Sequence, residues 1–168
     1  MNKFNKLKFT FSLFLVNNFF KGTRFFNIKR HLLSNAGIII GKDTKVVGPI
    51  YIGTVAKLEI GNNCWINKNF SIEGNGKVQI GNNCDFAPDI SFLTGSHEIG
   101  DSHRRAGKGV TWNYKVGDGT WIGAKVTILN GIEIGEGVII GAASLVNSRC
   151  NDNHMYVGTP AHQKKMLD

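Results

Sequence analysis

The sequence predicts an all-β protein in which the chain winds as a prism of short parallel strands. A large apolar residue stands at every sixth position over most of the chain, and three such positions make one coil. A period of six is typical neither of an amphipathic helix nor of an alternating antiparallel strand. The positions recur at intervals of 20 and later of 18 residues, in the sets Ile40, Ile60, Ile80; Val46, Ile66, Phe86; Ile52, Ile72, Phe92; Val116, Ile134; Ile122, Ile140; and Ile128, Val146.

Glycine supports the same interpretation, because it stands at many corners of the predicted prism. The chain has 21 glycines among 168 residues, and one follows the apolar position directly at 41, 61, 81, 117, 123, 135 and 141. Successive coils would stack about 4.8 Å apart, so equivalent side chains would form ladders inside the prism. Cys64 and Cys84 share one phase of the repeat. We expect them to be stacked core thiols, since no histidine joins them to bind a metal.

The length suits one domain, and the excess positive charge is confined to its N-terminal part. Residues 1–42 carry eight Lys or Arg and no Asp or Glu, whereas residues 43–168 carry twelve of each. The net charge of +8 therefore belongs to an arm and not to the body, and no nucleic-acid partner is expected. Three cysteines are too few and too odd in number for a disulfide framework, which indicates reduced thiols in a cytoplasmic protein.

Residues 1–35 are predicted to form a basic, aromatic arm that is helical. Phe4, Leu7, Phe11 and Phe14 fall on one helical face, with lysines beside them. The apolar run of the arm is shorter than the roughly 20 residues that a spanning helix needs, and no small-residue cleavage site follows it. Three interpretations stay open: the arm lies on an anionic membrane surface, packs against a partner subunit, or caps the fold.

The repeat breaks at the stretch SHEIGD. Counting in eighteens puts Glu98 in phase with Ile80 and Val116, so a charged residue stands where an apolar one is expected. The polar, glycine-containing stretch that follows predicts a loop at about residues 99–115 that leaves the wall of the prism. We therefore expect His97 at the lip of the last regular strand, beneath that loop.

Three stretches carry a resemblance to a known family: SHEIGD at the break, VGDGTWIGAKVTILNGIEIGEGVIIGAASLV after the loop, and GTPA near the C-terminus. They resemble the sugar O-acetyltransferase branch of the hexapeptide-repeat family, which includes maltose, galactoside, polysaccharide and xenobiotic acetyltransferases. The resemblance implies a left-handed parallel β-helix over residues 36–160 and a C-terminal tail at 161–168. It also implies acetyl-CoA as the donor, no metal, and a homotrimer with shared active sites. The handedness comes from the resemblance, because general crossover rules favour the right-handed form.

In that family a histidine at the position of His97 is the general base for the acceptor hydroxyl. The chemistry suits imidazole, which titrates near neutral pH and can take the proton of a weak nucleophile as it attacks a thioester. Such base catalysis is worth roughly 10²–10⁴ in rate. Glu98 is a candidate to orient the imidazole, or else simply faces solvent. Backbone amides around Gly123 are candidates to stabilise the oxyanion.

The resemblance also implies binding residues at matching positions. Asn67 matches an asparagine that contacts the acceptor sugar. Asn75 stands where the galactoside enzymes have an aspartate, and this difference leaves the identity of the acceptor open. Trp121 would wall the acyl end of the site. The coenzyme A arm would lie against corner residues, most of them small: Gly123, Ala124, Ala142, Asn147 and Ser148. His162 replaces a lysine of the family pattern, and Lys165 follows closely enough to meet the phosphates.

The sequence thus predicts an acetyl-CoA-dependent O-acetyltransferase that acts on a sugar of a surface polysaccharide, a lipopolysaccharide or their precursor. The arm resembles the entry segment of polysaccharide and lipopolysaccharide O-acetyltransferases. This indicates a sugar acceptor, free or lipid-linked, and a cytoplasmic enzyme that is either free or peripheral at the inner face of the membrane. Three alternatives stay open: an N-acetyltransferase of an amino sugar, a non-catalytic scaffold, and a γ-type carbonic anhydrase, for which only His97 and His103 offer zinc ligands.

Overall fold

The computed structural model describes residues 3–168 as two helices followed by nineteen short strands. The helices are α1 (Lys3–Asn18) and α2 (Phe26–Asn35). The strands are β1 (Ile39–Ile40), β2 (Lys45–Val46), β3 (Ile50–Ile52), β4 (Lys57–Ile60), β5 (Trp65–Ile66), β6 (Phe70–Glu73), β7 (Lys77–Ile80), β8 (Asp85–Phe86), β9 (Ser91–Leu93), β10 (Gly95–Ile99), β11 (Ala106–Thr111), β12 (Tyr114–Val116), β13 (Trp121–Ile122), β14 (Thr127–Ile128), β15 (Glu133–Ile134), β16 (Ile139–Ile140), β17 (Leu145–Val146), β18 (His154–Val157) and β19 (His162–Met166).

The strands build the three walls of a prism. Sheet A has the order β1-β4-β7-β12-β15, sheet B the order β2-β5-β8-β13-β16-β18-β19, and sheet C the order β3-β6-β9-β14-β17. Neighbours within each wall are parallel, apart from the final antiparallel pair of β18 and β19. Each coil of the chain passes through sheets A, B and C in turn, which is the parallel β-helix that the six-residue period predicted.

The strand register confirms the predicted ladders. In sheet A, Ile40 pairs with Ile60 and Ile60 with Ile80. The equivalent residues pair across sheets B and C in the first three coils and again in the later ones. Apart from Ile40, which is only partly covered, these inward side chains are buried and fill the prism. Removing such surface from water stabilises the fold by about 25 cal/mol per Å².

Aromatic rings and thiols pack between the coils. The rings of Phe70, Phe86 and Phe92 lie with centroids 5.7–6.3 Å apart. Cys64 and Cys84 are buried as predicted, and the backbone N–H of Cys84 lies 3.4 Å from the Cys64 sulfur. Both features follow from the stacking of equivalent positions in consecutive coils.

The helices of the arm close the N-terminal end of the prism. Phe9 and Val16 of α1 and Leu33 of α2 join the core cluster that the first coil begins. The Asn17 amide caps the free edge of β3, donating to the carbonyl of Ile50 at 2.7 Å and accepting from its N–H at 3.0 Å. The first coil, which has no coil before it, therefore receives its missing partners from α1 and α2.

The chain leaves the prism between β9 and β12 as a β-hairpin of β10 and β11. The predicted loop at 99–115 is thus wrong in its start, and His97 lies within the hairpin and not on the last regular strand. Ile80 pairs directly with Val116, with the offset of 36 residues that also separates Asn82 from Asp118. The placing of Glu98 at a core position is wrong as well. The segment inserted between β9 and β12 has the length of one coil. Counting in eighteens therefore stayed in phase across the insertion and placed Glu98 in the core.

The C-terminal residues extend sheet B. The segment predicted as a tail at 161–168 contains β19, which pairs antiparallel with β18. Ala161 is buried, and its N–H donates to the carbonyl of Leu145 at 2.8 Å. These contacts order the C-terminus across the last coil.

Candidate active site

The base of the hairpin is held by a buried threonine. Thr94 is fully buried, and its hydroxyl donates to the carbonyl of Glu73 and accepts from the N–H of Gly76, both at 3.0 Å. The N–H of Thr94 also donates to the carbonyl of Glu73 at 2.8 Å. The corner that carries Asn75 and the strand that carries His97 are therefore fixed to each other.

The returning strand is fixed at the same place. The N–H of Trp112 donates to the carbonyl of Thr94 at 2.8 Å, and the side chain of Asn113 accepts from the N–H of Lys77 at 2.8 Å. The phenol of Tyr114 donates to the carbonyl of Leu93 at 2.5 Å. Both ends of the hairpin are thus anchored by hydrogen bonds that mobile surface loops seldom make.

His97 and Glu98 are exposed on the outer part of this hairpin. His97 pairs across the ladder with Gly109, which has no side chain to cover the imidazole. The register shifts between His97 and Ile99, so Glu98 sits at a bulge. Within residues 3–168, no hydrogen bond or ion pair joins His97 to Glu98. The base predicted at His97 is accessible, and the orienting role predicted for Glu98 has no contact in this structure to support it.

Apart from Trp121, His162 and Lys165, the predicted site residues fall on two edges of the prism. We call the corner between sheets C and A the hairpin edge, and it carries Asn75, His97, Glu98, Asn147 and Ser148. We call the corner between sheets B and C the glycine edge, and it carries Asn67, Gly123, Ala124 and Ala142. The two edges lie at opposite ends of sheet C, separated by strands of two to four residues.

The glycine edge is a smooth and closely packed surface. A Cβ at Gly123 would lie 2.6 Å from the backbone nitrogen of Ala142, so the coils can meet here only without that side chain. The N–H of Gly123 already donates to the carbonyl of Ile140 at 2.8 Å, which removes it as an oxyanion donor. In the part of the chain that the structure describes, the N–H groups of Ala124 and Ala142 make no hydrogen bond, and they are the donors that this edge can offer.

Trp121, His162 and Lys165 lie on the outer face of sheet B. Trp121 is 54% exposed and stands between Asp85 and Ile139 in neighbouring strands. His162 and Lys165 are exposed on β19, three strands away from Trp121 in the order of the sheet. This spacing corresponds to roughly 14 Å, so the two basic side chains and the indole could contact opposite ends of one extended ligand.

One protomer therefore assembles only part of the predicted site. Asn75 and His97 lie on the two segments that the clamp of Thr94 joins. Asn67 lies at the other end of β6, roughly 10 Å or more along sheet C. The sequence did not point to Thr94 or Trp112, because neither belongs to the repeat or to a family motif. Residues 3–168 bring together no group of three or more His, Cys, Asp or Glu side chains that could hold a metal ion.

Comparison with known proteins agrees with this architecture. The family described as bacterial transferase hexapeptide (six repeats) matches residues 113–148. The chain is 32% identical over 111 residues to a provisionally assigned acetyltransferase of Staphylococcus aureus (strain MRSA252), covering 66% of this chain and 56% of that protein. It is 28% identical over 132 residues to the galactoside O-acetyltransferase of Escherichia coli (strain K12), covering 79% of this chain and 65% of that protein. The chain thus spans a little over half to two thirds of these relatives.

Solved structures show the same fold over nearly the whole chain. A galactoside acetyltransferase in complex with coenzyme A superposes with a TM-score of 0.83 at 24% identity, covering 98% of this chain and 81% of that one. A hexapeptide-repeat acetyltransferase from Vibrio cholerae O1 biovar eltor, complexed with acetyl-coenzyme A, superposes with a TM-score of 0.82 at 23% identity. The superposition covers 99% of this chain and 88% of that one. The fold is that of a hexapeptide-repeat β-helix protein. Within this fold, residues 113–148 carry the match to the hexapeptide-repeat transferase family.

Proposed function

We propose that this protein transfers the acetyl group of acetyl-CoA to a hydroxyl of a sugar, with His97 as the general base. The observation that carries the proposal is the placement of His97. Its imidazole is exposed on a hairpin that is rigidly joined to the corner of Asn75, where an acceptor can be held. Two of the relatives are galactoside O-acetyltransferases, which supports the same class of reaction.

The chemistry needs a base, a donor thioester and a place for negative charge. His97 takes the proton of the acceptor hydroxyl while its oxygen forms a bond to the thioester carbon. The carbon–sulfur bond then breaks, and the sulfur of coenzyme A leaves with the proton that the imidazole returns. The N–H groups of Ala124 and Ala142 are the proposed donors to the oxyanion that forms in between.

The donor is proposed to lie along the glycine edge. Small side chains there let an extended pantetheine chain approach the backbone, and Trp121 borders its acyl end. His162 and Lys165 on β19 would meet the phosphates. Two of the solved structures with this fold contain coenzyme A or acetyl-coenzyme A.

The site needs a second copy of the chain, and we propose a homotrimer. The base lies on the hairpin edge, whereas Gly123, Ala124 and Ala142 of the proposed donor site lie on the glycine edge, at the far end of sheet C. A hairpin edge that faces the glycine edge of the next subunit would bring both into one groove. Closed rings of this kind are the ordinary result of a head-to-tail interface.

The acceptor is proposed to be a sugar of a surface polysaccharide, a lipopolysaccharide or a precursor of either. The basic, aromatic arm supports an acceptor that is made near a membrane, lipid-linked or free. Asn67 and Asn75 would supply hydrogen bonds to its hydroxyls. An amine acceptor would use the same base and donor, so amino sugars belong in the acceptor screen.

The test combines calorimetry with a turnover assay. Acetyl-CoA is titrated into the native protein, His97→Ala and His103→Ala, and release of the coenzyme A thiol is followed with a panel of sugars and amino sugars. His103 lies on the same hairpin and is also exposed, which makes it the matched control. We expect similar binding by all three proteins and a rate lowered roughly 10²–10⁴-fold in His97→Ala alone. A failure of the native protein to bind acetyl-CoA would overturn the proposal in favour of a scaffold.

A further inference from the structure

Helix α1 has two apolar faces on opposite sides. At 100° per residue, Phe9 and Val16 fall on the side that packs against the first coil, and both are buried. A second set of apolar side chains lies on the opposite side of the helix, and we call it the outward face. It consists of Phe4 (61% exposed), Leu7 (68%), Phe11 (58%) and Phe14 (52%). Burial in this protomer therefore explains the first face and leaves the second exposed.

The outward face continues into the turn after α1. The ring of Phe14 packs edge-to-face against Phe19, with centroids 5.9 Å apart, and Phe19 is itself 66% exposed. Phe25 and Ile28 add further exposed apolar surface next to this turn. Large contiguous apolar patches are rare on monomeric proteins and mark sites of interaction.

The charge around this patch has one sign. Lys6 and Lys8 are exposed on the two flanks of the outward face, and Lys21 and Arg24 are exposed in the segment after it. Lys8 lies over the ring of Phe4, with its Nζ 4.5 Å from the centroid. No Asp or Glu occurs in residues 1–42. Aromatic and leucine side chains within a rim of lysine and arginine are the pattern of helices that lie in the surface of an anionic bilayer.

We propose that the outward face of α1 docks on an anionic lipid bilayer and holds the prism with its N-terminal end toward the membrane. No helix within residues 3–168 has the length and apolarity to cross a bilayer. The 16 residues of α1 therefore lie along the surface, where the phenyl rings and Leu7 enter the acyl boundary and the lysines meet the headgroups.

The bilayer fits better than a second copy of the chain. The outward face lies at the end of the prism, away from the side walls through which neighbouring prisms would form a ring. An end-to-end contact would bring two basic arms together, and like charges would oppose it. A ring of subunits with their axes side by side would present all its outward faces on one side, which multiplies the affinity of each for a flat surface.

Docking of α1 on a bilayer does not depend on acetyl transfer, and sedimentation with vesicles tests it separately. Sucrose-loaded vesicles of phosphatidylcholine alone, and with 30 mol% phosphatidylglycerol, are sedimented with the full-length protein in 50 mM and 300 mM salt. The variants are Leu7→Ser/Phe11→Ser, which removes half of the outward face, and Met166→Ser. Met166 is 72% exposed on β19 at the opposite end of the prism, so it matches the first variant in apolar exposure.

We expect binding to the anionic vesicles that weakens with salt, roughly tenfold or more weaker binding for Leu7→Ser/Phe11→Ser, and native binding for Met166→Ser. On anionic vesicles, the tryptophan of Phe11→Trp should add a blue-shifted fluorescence emission, and brominated lipids should quench it. The proposal is overturned if the native protein does not bind anionic vesicles at 50 mM salt, or if Leu7→Ser/Phe11→Ser binds as well as the native protein. A smaller molar mass of that variant in sedimentation velocity would overturn it too, because a second copy would then cover the outward face.

Discussion

Lys29 is a cation that the fold buries against backbone carbonyls and an aromatic ring. Its side chain is fully buried, and its Nζ donates to the carbonyls of Gly22 at 2.5 Å and Val47 at 2.9 Å. The ring of Phe26 lies 4.5 Å from the same nitrogen. Desolvation lowers the pKa of Lys29 to about 8. These bonds tie the segment between α1 and α2 to the first coil, at the cost of a partly desolvated charge.

This burial predicts a stability that increases with pH above 8. From about pH 8 to about pH 10.4 the folded chain releases the Lys29 proton while the unfolded chain still holds it, so the free energy of unfolding rises, by up to roughly 3 kcal/mol. The measurement is chemical unfolding of the native protein and Lys29→Met at pH 7.5 and 9.5. We expect the native protein to gain stability relative to Lys29→Met. Equal changes in the two proteins would show that Lys29 titrates as an exposed lysine.

At the scale of elements, the hairpin depends on the clamp at its base. Thr94→Val removes the hydroxyl that accepts from the buried N–H of Gly76, and we expect a loss of about 1–3 kcal/mol in the free energy of unfolding. Because the clamp also fixes His97 to the Asn75 corner, kcat should fall roughly tenfold or more. Urea unfolding and steady-state kinetics measure the two effects.

Thr44→Val is the matched control for the clamp. Thr44 is also buried, donating to the carbonyl of Gly61 at 2.6 Å and accepting from the N–H of Cys64 at 3.1 Å, but it lies at a corner remote from the hairpin. We expect a similar loss of stability and an unchanged kcat. If both variants lost activity in proportion to their stability, Thr94 would have only a structural role.

The walls could be predicted from the sequence and the hairpin could not. Each inward position, such as Ile60 or Phe86, must be apolar to fill the prism, so periodicity reports the register directly. The hairpin is held by backbone pairing and by Thr94, which leave no pattern of side chains. His97 and Asn75 were found through the family motif. The division of the proposed site residues between two edges depends on which corner each residue occupies, and a linear motif does not contain that information.

At the scale of the whole molecule, the three walls differ in what they offer a neighbour. The outer face of sheet A carries charged and polar side chains, including the 2.7 Å ion pair of Lys77 with Glu59. The outer face of sheet C carries small and apolar residues at paired positions: Ser71, Ser91, Thr127 and Leu145. Trp121 lies exposed on sheet B. Sheets B and C, which border the glycine edge, are therefore the walls suited to subunit contact, and sheet A is suited to solvent.

A site shared between subunits predicts that two inactive variants restore activity when they are mixed. His97→Ala disables the hairpin edge, and Ala142→Trp fills the glycine edge, so neither homotrimer should turn over. In a ring of equal and random composition, about a quarter of the interfaces combine an intact hairpin edge with an intact glycine edge. Co-expression of the two variants in equal amounts, without selection for mixed rings, should therefore recover about a quarter of the native rate per site.

The double variant His97→Ala/Ala142→Trp, mixed with the native chain, is the control. Shared sites then leave about a quarter of the native rate, because both neighbours at an interface must be native, whereas sites contained within one subunit leave about half. A mixture of the single variants that stays inactive, together with a half-active control, would place the whole site within one protomer. Recovery in the first mixture would show that assembly completes the site, because His97 and Ala142 lie on edges of the prism that one chain cannot bring together.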